Sequence, residues 1–144
     1  MTKQVDLSKI IALLKTYEEV DFALLFGSYA SLTASTLSDI DIGIFFKSEP
    51  DLLSMGSLVT QLESVVDKKV DLAILNHLPS TRPLLAYNIT RNHTPLIVNN
   101  NEKYAKFKID SLHYYLDFKP VLDAQDEALQ ERITNGTYGK IQTA

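Results

Sequence analysis

Cysteine is missing from this chain, so neither a disulfide framework nor a thiolate-held metal contributes to it. Long apolar runs are missing as well, and no stretch approaches the roughly 20 residues that cross a bilayer. Met1 to Asp6 is polar, and Leu7 to Leu14 is too short and too mixed for the apolar part of a secretory leader. The expectation is a cytoplasmic protein without a membrane partner. Nor is there an excess of basic charge. Lys and Arg number 14 against 18 Asp and Glu, a formal net charge of −4. A protein that tracks a nucleic-acid backbone needs a basic face, so direct nucleic-acid binding is not expected. His77, His93 and His113 lack the spacing of a zinc site and read as surface or helix-end residues. Internal repeats and low-complexity segments are absent. What remains is 144 residues, 45% apolar and 22% charged, enough for one ordinary globular domain with its own core.

Within that domain, apolar periodicity alternates between the helical and the extended kind. Leu7 to Tyr17 sets Ile10, Ile11, Leu13, Leu14 and Tyr17 on one helical face, with Asp6 or Ser8 as N-cap. Val20 to Phe26 reads as a buried strand ending at Gly27, and Ile40 to Phe46 as a second. Glu49-Pro50-Asp51 starts a helix whose stripe runs through Leu52, Leu53, Met55, Leu58, Val59, Leu62 and Val65-Val66. Lys69 to Leu75 is a third strand. Ser80 to Arg91 is helical with Pro83 in its first turn, and Thr94 to Val98 is a fourth strand. Two helical stretches follow, the second capped by Asp117, beginning near Pro120 and stopping at Asn135-Gly136. The fold class is therefore α/β or α+β. Residues 1–100 form the domain, 101–136 a helical extension and 137–144 a tail.

The chemistry concentrates between Val20 and Phe46. An apolar run ends in Gly27-Ser28, ten residues follow, and Asp39-Ile40-Asp41 opens the next run. Side chains two apart on a strand share a face, so Asp39, Asp41, Gly43 and Phe45 lie on one side and Ile40, Ile42, Ile44 and Phe46 on the other. The second set suits a core. The first begins with two like charges that repel, and a divalent cation is the usual remedy. A Gly-Ser bend nearby offers backbone N–H groups to phosphate. Asp71, inside the third strand, reaches the same patch if the two strands are neighbours. Three carboxylates from adjacent strands hold two Mg²⁺ ions about 3.5–4 Å apart, the spacing of in-line phosphoryl chemistry. The expected ligands are thus a nucleoside triphosphate and two Mg²⁺.

These residues resemble a known family. Gly27-Ser28, ten residues, then Asp39-Ile40-Asp41 matches the G-S-x10-D-x-D signature of polymerase-β-like nucleotidyltransferases, and Val70-Asp71-Leu72 is similar to the strand that carries their third acid. The short chain and early motif resemble the minimal nucleotidyltransferases, the MNT or MntA antitoxins paired with HEPN ribonuclease toxins. Tyr114 to Pro120 is also similar to their helical tail. The resemblance implies that Asp39 and Asp41 ligate both metals. Asp71 ligates the catalytic metal and helps to deprotonate the acceptor, and Gly27 and Ser28 bind the triphosphate. It implies a polymerase-β-like fold and transfer of AMP from ATP to a tyrosine of the partner toxin. One departure concerns nucleotide affinity. Many members read G-S-x-A-R-G, whereas Ala30-Ser31-Leu32 stands here, so an arginine that pairs with phosphate is missing, with Arg82 or Lys47 as substitutes.

Two other readings stay open. The chain could neutralise a toxin by contact alone, or the acceptor could be a small molecule of antibiotic type. Farther along, Tyr104, Phe107, Tyr114 and Phe118 fall near one helical face, and Ala105, Ile109, Leu112 and Leu116 near another. One stripe packs on the domain, and the other is free to dock a partner or a second copy, giving a homo-oligomer through the C-terminal helices. Lys103, Lys106 and Lys108 form a small basic cluster on the same segment.

Overall fold

The computed structural model describes residues 7–27 and 39–134. Asp6, Ser28, the Ala30-Ser31-Leu32 departure, Asn135-Gly136 and the 137–144 tail lie outside them. The elements run α1 (Leu7–Lys15), β1 (Val20–Phe26), β2 (Ile40–Phe46), α2 (Leu52–Val66), β3 (Val70–Ile74), α3 (Leu78–Thr81), α4 (Pro83–Arg91), β4 (His93–Val98) and α5 (Asn101–Thr134). Among the described residues, no helix is long and apolar enough to cross a membrane.

The strands form one mixed sheet in the order β3-β2-β1-β4. β1 is antiparallel to β2 and to β4, and β3 runs parallel to β2. Parallel neighbours need a long crossover, which α2 supplies. Its start is fixed by Asp51, whose carboxylate accepts from Ser54 N at 2.7 Å. It ends at Asp67, held in the left-handed region at φ 53° with its N–H donated to Glu63 O. The Glu63 carboxylate then accepts from Val70 N at 2.9 Å, which pins the first residue of β3.

The alternation read from β2 separates two cores. Ile40, Ile42, Ile44 and Phe46 pack with Val20, Ala23 and Leu25 against α1 and α2, through Ile10, Leu14, Leu58 and Leu62. On the opposite face Phe22, Leu24 and Leu75 pack against Leu78, Ala86, Ile89 and Phe107 of α3, α4 and α5. Phe22 is its hub, with ring centroids 5.1 Å from Phe45, 5.3 Å from Tyr104 and 5.7 Å from Phe107. Aromatic contacts of this kind add about 0.5–1.5 kcal/mol each beyond area burial.

Several local expectations need correction. The helix expected over Ser80–Arg91 is two pieces broken at Arg82, because Pro83 donates no N–H and disfavours helical backbone before it. The two C-terminal stretches are one helix that carries Pro120 inside it. Leu52 and Leu53 are 89% and 86% exposed, so the buried stripe of α2 is Leu58 and Leu62, with Met55 alongside. On α5 the packed face runs through Tyr104, Phe107 and Ser111 to Tyr115, which stacks on Tyr87 with centroids 3.7 Å apart. Tyr114, expected on that face, is exposed, as are Ile109, Leu112 and Leu116.

Candidate functional site

The parallel register sets Asp41 directly beside Asp71, one strand spacing away, or about 4.8 Å between backbones. Paired residues of parallel strands share a face, so both carboxylates lie on the side that carries Gly43, Ala73 and Phe45. Asp39 stands one residue before β2 and is half-buried, Asp41 is half-buried, and Asp71 is exposed on the edge strand. Burial pushes the Asp41 carboxyl above the ordinary carboxylate value, and the charges of Asp71 and then Asp39 push it further the same way.

Gly27 closes the site from β1. Its neighbour Phe26 pairs with Asp41 across the antiparallel ladder. Gly27 has φ +74°, a region open to glycine and costly for residues with a Cβ. A Cβ there would overlap Asp41 Oδ2 and come within 3.0 Å of Asp41 Cγ. The bend therefore presses bare backbone against the carboxylate. Ser28, expected to share phosphate binding with Gly27, lies outside the described residues. Gly43 has a different reason to be small: a Cβ on it would come 2.8 Å from Leu75 Cδ2, so the part of the acidic face beyond Asp41 is a seat for Leu75.

The surrounding helices are tied to the same end of the sheet. His93 opens β4 opposite Phe26. Its Nδ1 lies 2.8 Å from Ile89 O, and a carbonyl only accepts, so Nδ1 carries the proton. Nε2 is hydrogen-bonded to the Tyr104 hydroxyl at 2.7 Å. Histidine 93 is thus a joint between α4, β4 and α5. A cavity of about 340 Å³ beside Gly27 is lined by Phe26, Leu85, Asn88, Ile89 and Asn92. Lys47, weighed as a phosphate ligand, follows the far end of β2 and is removed from the carboxylates.

Whether these residues fit Mg²⁺ is decided by donor chemistry and placement. Carboxylate oxygens are the ligands that this hard cation takes, and the charge crowding on Asp41 is what a cation relieves. Among the described residues, however, no group of three or more His, Asp or Glu side chains is arranged to hold a metal ion. The backbone register brings Asp41 and Asp71 together with Asp39 nearby. Convergence of all three on one ion requires side-chain rotation.

A small mixed sheet with acids at the start of two parallel neighbours and a glycine bend against them defines a nucleotidyltransferase domain. The chain belongs to the polymerase beta nucleotidyltransferase family, whose model matches residues 8–103. Comparison with curated protein sequences gave no significant match. Among solved structures the chain is similar to a toxin–antitoxin crystallised with AMP-PNP, at 25% identity and TM-score 0.69, covering 83% of this chain and 98% of that one. It is also similar to a mutant of the toxin–antitoxin MntA-HpeT, at 25% identity and TM-score 0.67, covering 84% of this chain and 98% of that one. A complex of a tri-AMPylated Shewanella oneidensis HEPN toxin with an MNT antitoxin shares the fold, at 24% identity and TM-score 0.61, with 82% and 93% covered.

Proposed function

We propose that this protein is an antitoxin that transfers AMP from ATP to a tyrosine of a HEPN ribonuclease toxin. The observation that carries the reading is the register of Asp41 with Asp71 on neighbouring parallel strands, with Gly27 packed against the first of them. The structural neighbours support the acceptor class, since one holds AMP-PNP and another a tri-AMPylated HEPN toxin.

In this reading Asp39, Asp41 and Asp71 hold Mg²⁺. The bound metal would neutralise charge on the triphosphate and acidify the acceptor hydroxyl. Gly27 offers backbone, without a side chain in the way, to the phosphate tail. Asp71, exposed at the sheet edge, accepts the proton as the tyrosine oxygen attacks the α-phosphorus. One P–O bond forms, the bond to pyrophosphate breaks, and the chain itself is never covalently modified. Catalysis rests on positioning and electrostatics.

The test is incubation with α-labelled ATP, Mg²⁺ and a HEPN ribonuclease toxin that binds this protein. Label should pass to the ribonuclease, and Asp41→Asn should lower the rate by about 100-fold or more. Absence of transfer where the two proteins bind would remove the enzymatic reading. Protection of cells by Asp39→Ala/Asp41→Ala would transfer the function to binding alone.

A further inference from the structure

A second cavity lies at the other end of the same sheet. It encloses about 470 Å³, and its wall includes Asp21, Phe45, Lys47, Lys103, Phe107 and Tyr114. Phe45 is four residues past Asp41 along β2, roughly 13 Å at about 3.3 Å per residue. The cavity is therefore separate from the carboxylate site.

Asp21 is its unusual member. The residue is only 3% exposed. Its backbone carbonyl accepts from Asn99 N and Asn100 N, but its carboxylate has no hydrogen-bond or ion-pair partner among the described residues. The register explains how it arrives there. Val20 pairs with Phe46 and Phe22 with Phe45, so Asp21 is an extra residue bulged out of the ladder. Bulges re-aim side chains, and they recur beside binding sites. Its oxygens are not among the polar side-chain atoms sealed away from both solvent and partners, so the carboxylate opens onto the cavity, where a ligand can reach it.

The remaining charges sort themselves. Lys106 pairs with Asp110 at 2.8 Å, and His77 with Glu49 at 3.2 Å. Lys108, third of the basic cluster, lies over the Tyr104 ring at 4.1 Å. Lys47 and Lys103 are exposed, and neither ammonium has an ion-pair partner among the described residues. The cavity thus offers a buried carboxylate, aromatic walls and two uncommitted ammonium groups.

We propose that this cavity binds a guanine nucleotide. A carboxylate presents two acceptors side by side and is matched by two parallel N–H donors. The N1–H and N2–H edge of guanine is such a pair, whereas adenine turns a ring acceptor toward the carboxylate. Phe45, Phe107 and Tyr114 supply apolar contact for the base, and Lys47 and Lys103 supply charge for the phosphate. The volume lies within the usual range of about 300–1,000 Å³ for small-molecule sites. A guanidinium carries the same donor fork, so arginine is the competing source of this chemistry.

The experiment is calorimetric titration of the full chain with GMP in EDTA, which leaves the metal-dependent site unengaged. GMP should bind saturably, IMP (which lacks the N2 amine) at least about tenfold more weakly, and AMP not at all. Asp21→Asn should weaken GMP by at least about tenfold, and Lys47→Met/Lys103→Met should weaken it and flatten its salt dependence. Both lysines are exposed, so the double variant judges the proposal even if Asp21→Asn fails to fold. Equal binding of AMP and GMP, no saturation at millimolar GMP, an unchanged affinity in either variant, or saturation by L-arginine but not by GMP would each overturn the assignment.

Discussion

Replacing Gly27 by alanine perturbs backbone and carboxylate together, and the two costs separate. At φ +74° a residue with a Cβ pays roughly 1–2 kcal/mol for the left-handed conformation alone. The added methyl also overlaps Asp41 Oδ2 and comes 3.0 Å from Cγ and 3.3 Å from Cβ of Asp41. The carboxylate end can rotate away, at about 0.5–1.5 kcal/mol for a side chain forced off its rotamer. Gly27→Ala should therefore lose about 2–3 kcal/mol in urea unfolding. An Asp41→Ala background keeps only the 3.3 Å contact to Cβ, so little beyond the backbone cost should remain, about 1–2 kcal/mol. The double-mutant cycle should show a coupling of about 1 kcal/mol. The proposed AMP transfer should fall by about 100-fold, because a displaced Asp41 no longer sits where that reaction needs it. Identical costs in the two backgrounds would refute the contact, and no cost in either would refute the strained bend.

Asp41→Asn should stabilise the metal-free protein at neutral pH while slowing the proposed AMP transfer by about 100-fold or more. The sign follows from linkage. Burial and two acidic neighbours raise this carboxyl, so the folded state holds its proton more tightly than the unfolded state. Ionisation of Asp41 lowers stability as pH rises from the ordinary aspartate value of 3.8 through the raised folded value. Asparagine should flatten the stability profile in that window, as followed by thermal melts from pH 3 upward, and an unchanged profile would count against the crowding. Gly56 is exposed within α2 and a Cβ there meets nothing within 4 Å, so Gly56→Ala should stabilise by about 0.8–1 kcal/mol in a chemical melt. Pro120→Ala restores a helix N–H to α5 and relieves the ring clash. No residue from Lys119 to Ile133 is buried, so hydrogen exchange should slow around position 120 while the global unfolding midpoint stays put.

Much of the fold was legible because each strand is short, apolar and bounded by turn residues. The alternation of Ile40, Ile42 and Ile44 with Asp41 and Gly43 named the two faces of β2, and Asp51 announced the start of α2. Pairing was not legible in the same way. That β3 lies parallel to β2, with Asp71 beside Asp41, depends on the crossover through α2, which spacing alone leaves open. Pro120 misled because a proline costs an interior hydrogen bond without always ending a helix, and no tertiary contact needs the break. Tyr114 was placed on the packed face, where Tyr115 lies instead, because a helical stripe of four aromatics tolerates a shift by one residue. Stacking on Tyr87 decides the matter, and that contact joins residues on separate helices. Asp21 was visible as the one acid in an otherwise apolar strand, but only the bulge between Val20 and Phe22 turns it into a cavity-lining group.

The two central strands make the strongest argument about where function resides. β1 is buried from Val20 through Leu25, and β2 is buried at every position except Asp41 and Phe45. A sheet selected for stability alone would carry apolar residues at all of these sites, since a carboxylate there gives up hydration without gaining a core contact. Yet each strand carries one acid, Asp21 near the start of β1 and Asp41 near the start of β2. Because the strands are antiparallel, these starts lie at opposite ends of the sheet. Asp41 is crowded by two further acids and pressed by a bare glycine, an arrangement a cation resolves. Asp21 has aromatic walls around it and two ammonium groups that lack an ion-pair partner among the described residues, an arrangement a donor-bearing anion resolves. Departures from local consistency concentrate where a ligand completes the structure. The same sheet therefore argues for two ligands of different chemistry, and Asp21→Asn and Asp41→Asn should each disable one and spare the other.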